Sequence, residues 1–253
     1  IIDKSMKIQK IIYTIALVIL VNHAHAWSVS PMSSSLKPDT RTFSMTISNT
    51  GGEEMIAIKL SLKSRAQDIY SEEILTETKD LRVFPKQVIV QPGRTVTVRG
   101  SVVIPNNSPY EKSYRLIAEA LPIRSGDEAD SGVQVLLKFI TSIYLSPRDN
   151  QNVALEVRSA KLLEDELILD IANNSTQHQL MSVNEVFASI AGKEVNINNE
   201  DKLSNILSNS QMSMRIPINP KEYDIMKLSP IISLTNNCLT CKNEEKITLN
   251  LEQ

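Results

Sequence analysis

Cys238 and Cys241 form a C-x-x-C motif, the clearest candidate for chemistry in this 253-residue chain. Such a pair can bind zinc, exchange disulfides or close a local loop. Zinc would need two more ligands, and the sequence offers neither a second cysteine pair nor a nearby histidine. A thioredoxin-type site would open a helix, whereas the flanking Asn236-Asn237 and Lys242-Asn243 are typical of a turn. In an oxidising compartment we expect a structural Cys238–Cys241 disulfide between two strands, with a thiol redox protein as the alternative.

Other groups suited to catalysis are scarce. Of the three histidines, His23 and His25 lie in the first 26 residues, which leaves His178 alone in the remainder. The acidic pair Asp127 and Glu128 lies in a polar stretch, 124–132, where a mobile loop would not hold an acid and a base in fixed geometry. We therefore expect no enzyme, no metal site, no cofactor and no small-molecule substrate.

The charge pattern also excludes a class of partner. The formal net charge is −2, and the basic residues do not cluster as a nucleic-acid surface would require. We expect no nucleic-acid partner.

The first 26 residues have the pattern of a secretion signal. Lys7 and Lys10 precede an apolar stretch at 11–21, and Ala24-His25-Ala26 is an A-x-A cleavage site. The apolar stretch is shorter than the roughly 20 residues that a spanning helix needs. The sequence predicts an exported product of residues 27–253 that begins at Trp27.

Short alternating segments separated by turn residues predict an all-β protein. In the first half six segments are predicted strands, namely 41–48, 56–62, 88–90, 95–103, 114–121 and 132–145. We expect about seven strands in this half, which is typical of an immunoglobulin-like sandwich. In the second half they are 153–157, 167–172, 183–190, 212–218, 231–235 and 247–251, with 203–207 as a helical or irregular connection. The apolar pattern stops at 146–152 around Pro147, which predicts one domain at 27–148 and a second at 149–253.

The segment 132–145 is apolar on both faces. At period two it gives one row of Val133, Val135, Leu137 and Phe139 and a second row of Leu136, Ile140 and Tyr144. A strand of a one-sided antiparallel sheet needs only one apolar row. The second row is covered either by the protein's own second domain or by another protein, and the pattern alone leaves both open.

Four segments resemble the N-terminal domain of PapD-like pilus-assembly chaperones: W-S-V-S-P at 27–31, T-F-S-M-T-I-S-N at 42–49, L-R-V-F-P-K-Q-V-I-V-Q-P-G-R-T-V-T-V-R at 81–99 and E-K-S-Y-R-L-I-A-E-A-L-P-I at 111–123. Details near Arg65, Val83-Phe84-Pro85 and Tyr114-Arg115 are most similar to the archaic, Csu-type branch. The second half agrees only in length and β character.

The resemblance implies two immunoglobulin-like sandwiches in an L-shaped arrangement and a periplasmic location. It implies donor-strand complementation, in which the seventh strand is lent to a pilin subunit, with delivery to an outer-membrane usher. Val133, Val135, Leu137 and Phe139 would then enter the pilin groove. An exposed apolar edge also favours a self-capping homodimer.

The resemblance also implies a pair of basic residues that holds the pilin's terminal carboxylate, and here the chain departs from the family. The matching positions are Ser33 and Ser142, and neither is basic. The available cations are Lys37, Arg99, Arg115 and Lys138, of which we take Arg99 and Lys138 as candidate anchors. Ser146 also replaces a family arginine, so the usual interdomain ion pair is not expected. A non-catalytic exported structural or adhesion protein is the alternative function.

Overall fold

The structure, a computed structural model, describes residues 27–52, 54–122, 136–148, 155–163, 166–190, 193–196, 202–217, 230–238 and 241–248. These residues form an all-β protein of eighteen strands without a helix. In the described part of the chain no helix is long and apolar enough to cross a membrane.

The strands of the first half are β1 (Ser28–Ser30), β2 (Ser33–Leu36), β3 (Thr42–Ser48), β4 (Ile56–Gln67), β5 (Glu73–Glu77), β6 (Leu81–Phe84), β7 (Gln87–Val90), β8 (Thr95–Val102), β9 (Lys112–Leu121) and β10 (Lys138–Leu145). Those of the second half are β11 (Leu155–Leu163), β12 (Glu166–Asn173), β13 (Gln179–Ile190), β14 (Lys193–Asn196), β15 (Lys202–Ile206), β16 (Ser210–Pro217), β17 (Pro230–Cys238) and β18 (Cys241–Thr248).

Two sheets make up the first half. One has the order β1-β3-β8-β6, and the other has the order β2-β10-β9-β4-β5 with β7 also paired to β4. The chain changes sheets near its start, because β1 pairs antiparallel with β3 whereas β2 pairs parallel with β10. This change of sheet brings β2 beside the last part of β10.

Alternating side chains of the two sheets form one core. Ile47, Ile58, Val90 and Leu145 are fully buried in it, as period-two burial predicts. Gly100 is needed in this core because a Cβ atom there would lie 2.1 Å from the ring of Phe43. The Phe43 ring thus fills the space that a side chain at position 100 would take.

The second half repeats this architecture. A three-stranded sheet, β11-β12-β16, accompanies a five-stranded sheet in which β13 pairs with β14, β15 and β17, and β17 pairs with β18. Across β12 and β16, Leu167 lies opposite Ile216 and Leu169 opposite Met214 in a buried apolar layer. The expectation of an irregular connection at 203–207 was wrong, because residues 202–206 pair with β13 as strand β15.

The first half contains ten strands rather than about seven. Strands β1, β2, β5 and β6 were not predicted because each is only three to five residues long, too short for a clear alternating pattern. The sequence pattern also predicted that β4 ends near residue 62, whereas β4 continues to Gln67 and there supports β5.

Candidate functional site: an open strand edge beside a polar row

Strand β10 is covered unequally on its two edges. It pairs with β9 from Lys138 to Leu145, but β2 covers its other edge only from Ser142 to Leu145. Where this cover begins, the Ser142 amide donates to the carbonyl of Met32 at 2.9 Å. No strand of the described residues pairs with the second edge at 138–141, which we call the open edge.

Backbone alternation fixes which groups face the open edge. Ala120 donates to the carbonyl of Leu137 at 3.0 Å, so the odd-numbered residues of this stretch exchange hydrogen bonds with β9. The even-numbered residues point the other way, as the Ser142 amide does. Lys138 and Ile140 therefore present their backbone donors and acceptors at the open edge.

Exposed apolar side chains accompany the open edge. Leu136, Leu137 and Ile140 are 47%, 37% and 40% exposed, which is unusual for residues in or beside a central sheet strand. Leu137 belongs to the row of β10 that faces the core further along the strand. At this end of β10 the core-facing side chain of Leu137 is thus accessible. It lies next to backbone groups that pair with no other strand of the described residues.

The predicted donor residues differ in how accessible their side chains are. Phe139 packs against Trp27, with ring centroids 4.5 Å apart at an angle of 68°, and lies against the protein's own core. In the free chain the Phe139 ring is therefore partly covered by Trp27 and the core, and its expected role as a donor side chain stays a prediction. Leu137 is accessible, while Val133 and Val135 lie outside the described residues.

The outer face of the same sheet carries a continuous polar row. Register partners across the five strands β2, β10, β9, β4 and β5 are Ser33, Ser142, Arg115, Lys63 and Glu77. Register partners on neighbouring strands present their side chains to the same face. The two serines at the family's basic positions are therefore direct neighbours, and cations lie one and two strands away.

Arg115 joins the serines to an acidic partner. Its Nη1 donates to the Ser142 hydroxyl, its Nε donates to Glu73 Oε2 at 3.0 Å, and its Nη2 donates to Glu73 Oε1. Arg65, whose side chain is only 6% exposed, approaches Glu73 Oε1 to 2.8 Å and donates to the Tyr144 hydroxyl at 3.3 Å. Burial would raise the pKa of Glu73, but the hydrogen bond from Arg115 and the charges of both arginines outweigh it and lower that pKa.

The two cations chosen from the sequence are not at this row. Arg99 lies on the exposed face of the other sheet, opposite Ser44 and Phe84, so the whole sandwich separates it from Ser142. Alternation with the buried Val98 turns Arg99 outward on that sheet, so a role for Arg99 as the anchor stays a prediction that this placement does not favour. Lys138 is on the correct face but four residues from Ser142, about 13 Å along the strand.

Arg115 was among the available cations, yet the sequence did not single it out. Its place beside Ser142 follows from the pairing of β9 with β10. That register joins residues 27 positions apart, and the 123–135 segment between the two strands contains two Ser-Gly turn signals, so the register cannot be counted from a single turn. Glu73 was not identified because strand β5, on which it lies, was not predicted.

A second polar cluster lies where the two halves meet. The His178 ring stacks on Tyr144 with centroids 3.7 Å apart, and its Nδ1 is 2.7 Å from Glu111 Oε1. The Tyr144 hydroxyl also accepts a bond from Asn205 at 2.7 Å. Tyr144 thus contacts both the second half and Arg65, two residues along β4 from the polar row.

A cavity of about 420 Å³ adjoins this junction, and three of the polar groups at its wall are paired with one another. Tyr114 donates to Asp80 Oδ2 at 2.8 Å, and Lys112 lies 3.0 Å from the same oxygen. Burial, and then the hydrogen bond and charge of Asp80, raise the pKa of Tyr114. The cavity offers no nucleophile beside a base.

Some of the other residues that the sequence suggested as chemical sites lie outside the described residues. Asp127 and Glu128 are not among the described residues. Cys238 and Cys241 are register partners at the ends of β17 and β18, the backbone arrangement that a local disulfide would need, and the disulfide stays a prediction. Among the described residues, no group of three histidine, cysteine or carboxylate side chains is placed to hold a metal ion.

No family model matches the sequence, and a comparison with curated proteins finds no match. Solved structures do match. The chain is similar to the class 5 fimbriae chaperone CfaA, at 18% sequence identity and a TM-score of 0.59, over 89% of this chain and 99% of that one. The chain has the two-domain β-sandwich fold of the fimbrial chaperones.

Other structures with this chaperone fold come from complexes. One is the CsuC–CsuE chaperone–tip adhesion subunit pre-assembly complex from archaic chaperone-usher Csu pili of Acinetobacter baumannii, with 14% identity, a TM-score of 0.59 and coverage of 90% of this chain and 100% of that chain. Another is the Salmonella enterica SafA pilin in complex with the SafB chaperone, with 10% identity, a TM-score of 0.52 and coverage of 90% and 97%. The resemblance noted in the sequence is thus confirmed at the level of fold, over most of the chain.

Proposed function

We propose that this protein is a periplasmic chaperone that binds pilin subunits by adding strand β10 to their incomplete sandwich and delivers them to an outer-membrane usher. The open edge of β10 carries this proposal. An unpaired edge beside exposed apolar side chains is a surface that soluble proteins usually protect with charges, bulges or a covering segment. Here the exposed Lys138 is the one charge on the open edge of β10.

Strand addition explains both properties of the open edge. The backbone groups of Lys138 and Ile140 would pair with the client, and Leu137 would enter the client's core, followed by Val135 and Val133 in the same alternation. Burying each such side chain contributes roughly 1.5–3 kcal/mol before the entropy of association is subtracted. Phe139 stays with Trp27 in the chaperone's own core.

The polar row supplies a charged anchor for the client. Arg115 lies next to Ser142 and presents a planar guanidinium that matches a carboxylate in two-point geometry. Three of its five N–H donors are used by Glu73 and Ser142, which leaves two. We assign the role of the missing family cations to Arg115, with the Ser33 and Ser142 hydroxyls beside it.

The remaining parts of the proposal rest on the sequence. The signal-like residues 1–26 support export to the periplasm, and the fold supports an assembly role rather than catalysis. The two halves are proposed to be domains at 27–148 and 149–253, joined through the contacts of Tyr144 and His178.

Affinity capture from the periplasm tests the proposal. The wild-type protein is expected to retain a small exported β-protein, identified by mass spectrometry, and the Leu137→Asp variant is expected to lose it. Val103→Asp is the matched control, since Val103 is 41% exposed and lies away from β10. Retention of the same subunit by Leu137→Asp would refute strand addition, and recovery of only a second copy of this chain would replace the client by a self-capping dimer.

A further inference from the structure

Strand β5 brings two carboxylates to the cations of the polar row. It is an edge strand that pairs only with β4, and all five of its residues are exposed. Glu73, Leu75 and Glu77 alternate onto the face that carries Lys63 and Arg115. Because its residues are exposed, β5 contributes little apolar burial to the core, and its carboxylates are its main contribution to this face.

The carboxylates of β5 occupy the cations when no client is present. Glu73 receives two bonds from Arg115 and one contact from Arg65, while Glu77 pairs with Lys63. A carboxylate ligand that binds Arg115 through Nε and Nη2 would need these same donors. The bonds from Nε and Nη2 of Arg115 to the two oxygens of Glu73 reproduce the two-point geometry that such a ligand would use.

We propose that Glu73 is an internal competitor that holds Arg115 in the free protein and yields it to the client's terminal carboxylate. This inference rests on the proposed chaperone function. Arg65 makes the exchange feasible because it is nearly buried and stays next to Glu73 Oε1. Glu73 therefore keeps one cationic partner when Arg115 turns to the client, and no charge is left unpaired.

Competition by Glu73 would also determine which ligands bind stably. A ligand without a carboxylate cannot displace Glu73, because it would leave Arg115 without a charged partner. Binding through the open edge alone is generic, since it uses backbone groups. Competition at Arg115 would thus restrict stable complexes to chains whose carboxyl end lies at the polar row.

Removing the charge of Glu73 tests the competition. The Glu73→Gln variant should bind the captured subunit about five- to fiftyfold more tightly than the wild type, and should show no gain for a subunit whose C-terminus is extended by several residues. Glu156→Gln is the matched control, because Glu156 is an exposed carboxylate of the second half paired only with Arg158 and Asn174. It should leave the affinity unchanged.

Two results overturn the inference. Equal or weaker binding by Glu73→Gln, with Leu137→Asp still defective, would make Glu73 a positioning residue for Arg115 and leave the chaperone function intact. A gain in affinity that is the same for the extended subunit would show that the carboxylate is not what competes. If no subunit is captured by the wild type, the chaperone function itself fails.

The competition between Glu73 and another carboxylate for Arg115 can also be measured without a pilin subunit. In a titration of the protein with sodium acetate, followed by the NMR signal of the Arg115 Nε–H group, the Glu73→Gln variant should respond at a lower acetate concentration than the wild type. An identical response in the two proteins would contradict an exchange at Arg115.

Discussion

Arg115 donates a hydrogen bond to the hydroxyl of Ser142, its register partner across β9 and β10. Ser142 is in turn the partner of Ser33 across β10 and β2. Ser33 and Ser142, which match the family's basic positions in the sequence, are therefore adjacent in this fold. We propose that Arg115, one strand further into the sheet, carries the positive charge that these two positions lack.

Removing this charge should weaken client binding with little effect on folding. Arg115→Ala is expected to lower the affinity for the subunit about ten- to a hundredfold, because a hydrogen bond to a charged group contributes roughly 1.5–3 kcal/mol. Arg99→Ala, on the exposed face of the other sheet, is the control and should bind as the wild type does. Surface plasmon resonance measures both, and equal losses for the two variants would contradict the assignment of Arg115.

The stability of the fold should depend on pH through Glu73. Its pKa is lowered below the ordinary value of 4.5 in the folded state, so its carboxylate stabilises the fold fully above about pH 4.5. This contribution is lost as the pH falls through the lower folded-state pKa. Urea unfolding at pH 7 and at successively lower pH should show the gap between wild type and Glu73→Gln narrowing in acid. A gap that stays constant would exclude the ion pairs of Glu73 as its cause.

The junction of the two halves should depend on His178. In His178→Ala, the Glu111 side chain, which is 1% exposed, loses the imidazole and keeps only the bond from the backbone N–H of residue 178, and Tyr144 loses the stacked ring. We expect the free energy of unfolding to fall by about 1–3 kcal/mol. The neighbouring Gln177→Ala removes only a 3.5 Å contact to Ser146 and should change it by less than about 0.5 kcal/mol. Urea denaturation of both variants checks this, and equal losses would argue against the junction.

The space at Gly100 gives a test of the core. Gly100→Ala places a methyl group against the Phe43 ring and should destabilise the protein by about 1–3 kcal/mol. In a Phe43→Ala background the same change should cost less, because the ring is gone. Thermal unfolding of the four proteins in this double-mutant cycle measures the coupling. Additive effects would mean that the ring is not what Gly100 accommodates.

The sequence predicted the parts of the fold that depend on long alternating patterns. Strands β3, β8, β9 and the end of β10 were found because their buried positions are apolar and regularly spaced. The short edge strand β5 escaped notice because all of its residues are exposed and its pairing comes from β4. A strand without a buried face has no hydrophobic period to detect.

For the same reason, only the apolar part of the candidate site could be predicted from the sequence. Leu137 and the apolar end of β10 follow from a local pattern, whereas Arg115 and Glu73 come together through register among β4, β5, β9 and β10. Such register depends on the packed sheet. The distance of Arg99 from Ser142 likewise depends on which of the two sheets contains β8.

Amide hydrogen exchange at β10 tests the central claim most directly. The Lys138 and Ile140 amides, which face the open edge, are expected to exchange rapidly in the free protein and to become protected when the captured subunit binds. Phe139 and Thr141, whose amides already face β9, should change far less. A complex in which Lys138 and Ile140 remain unprotected would show that the client does not add a strand to β10.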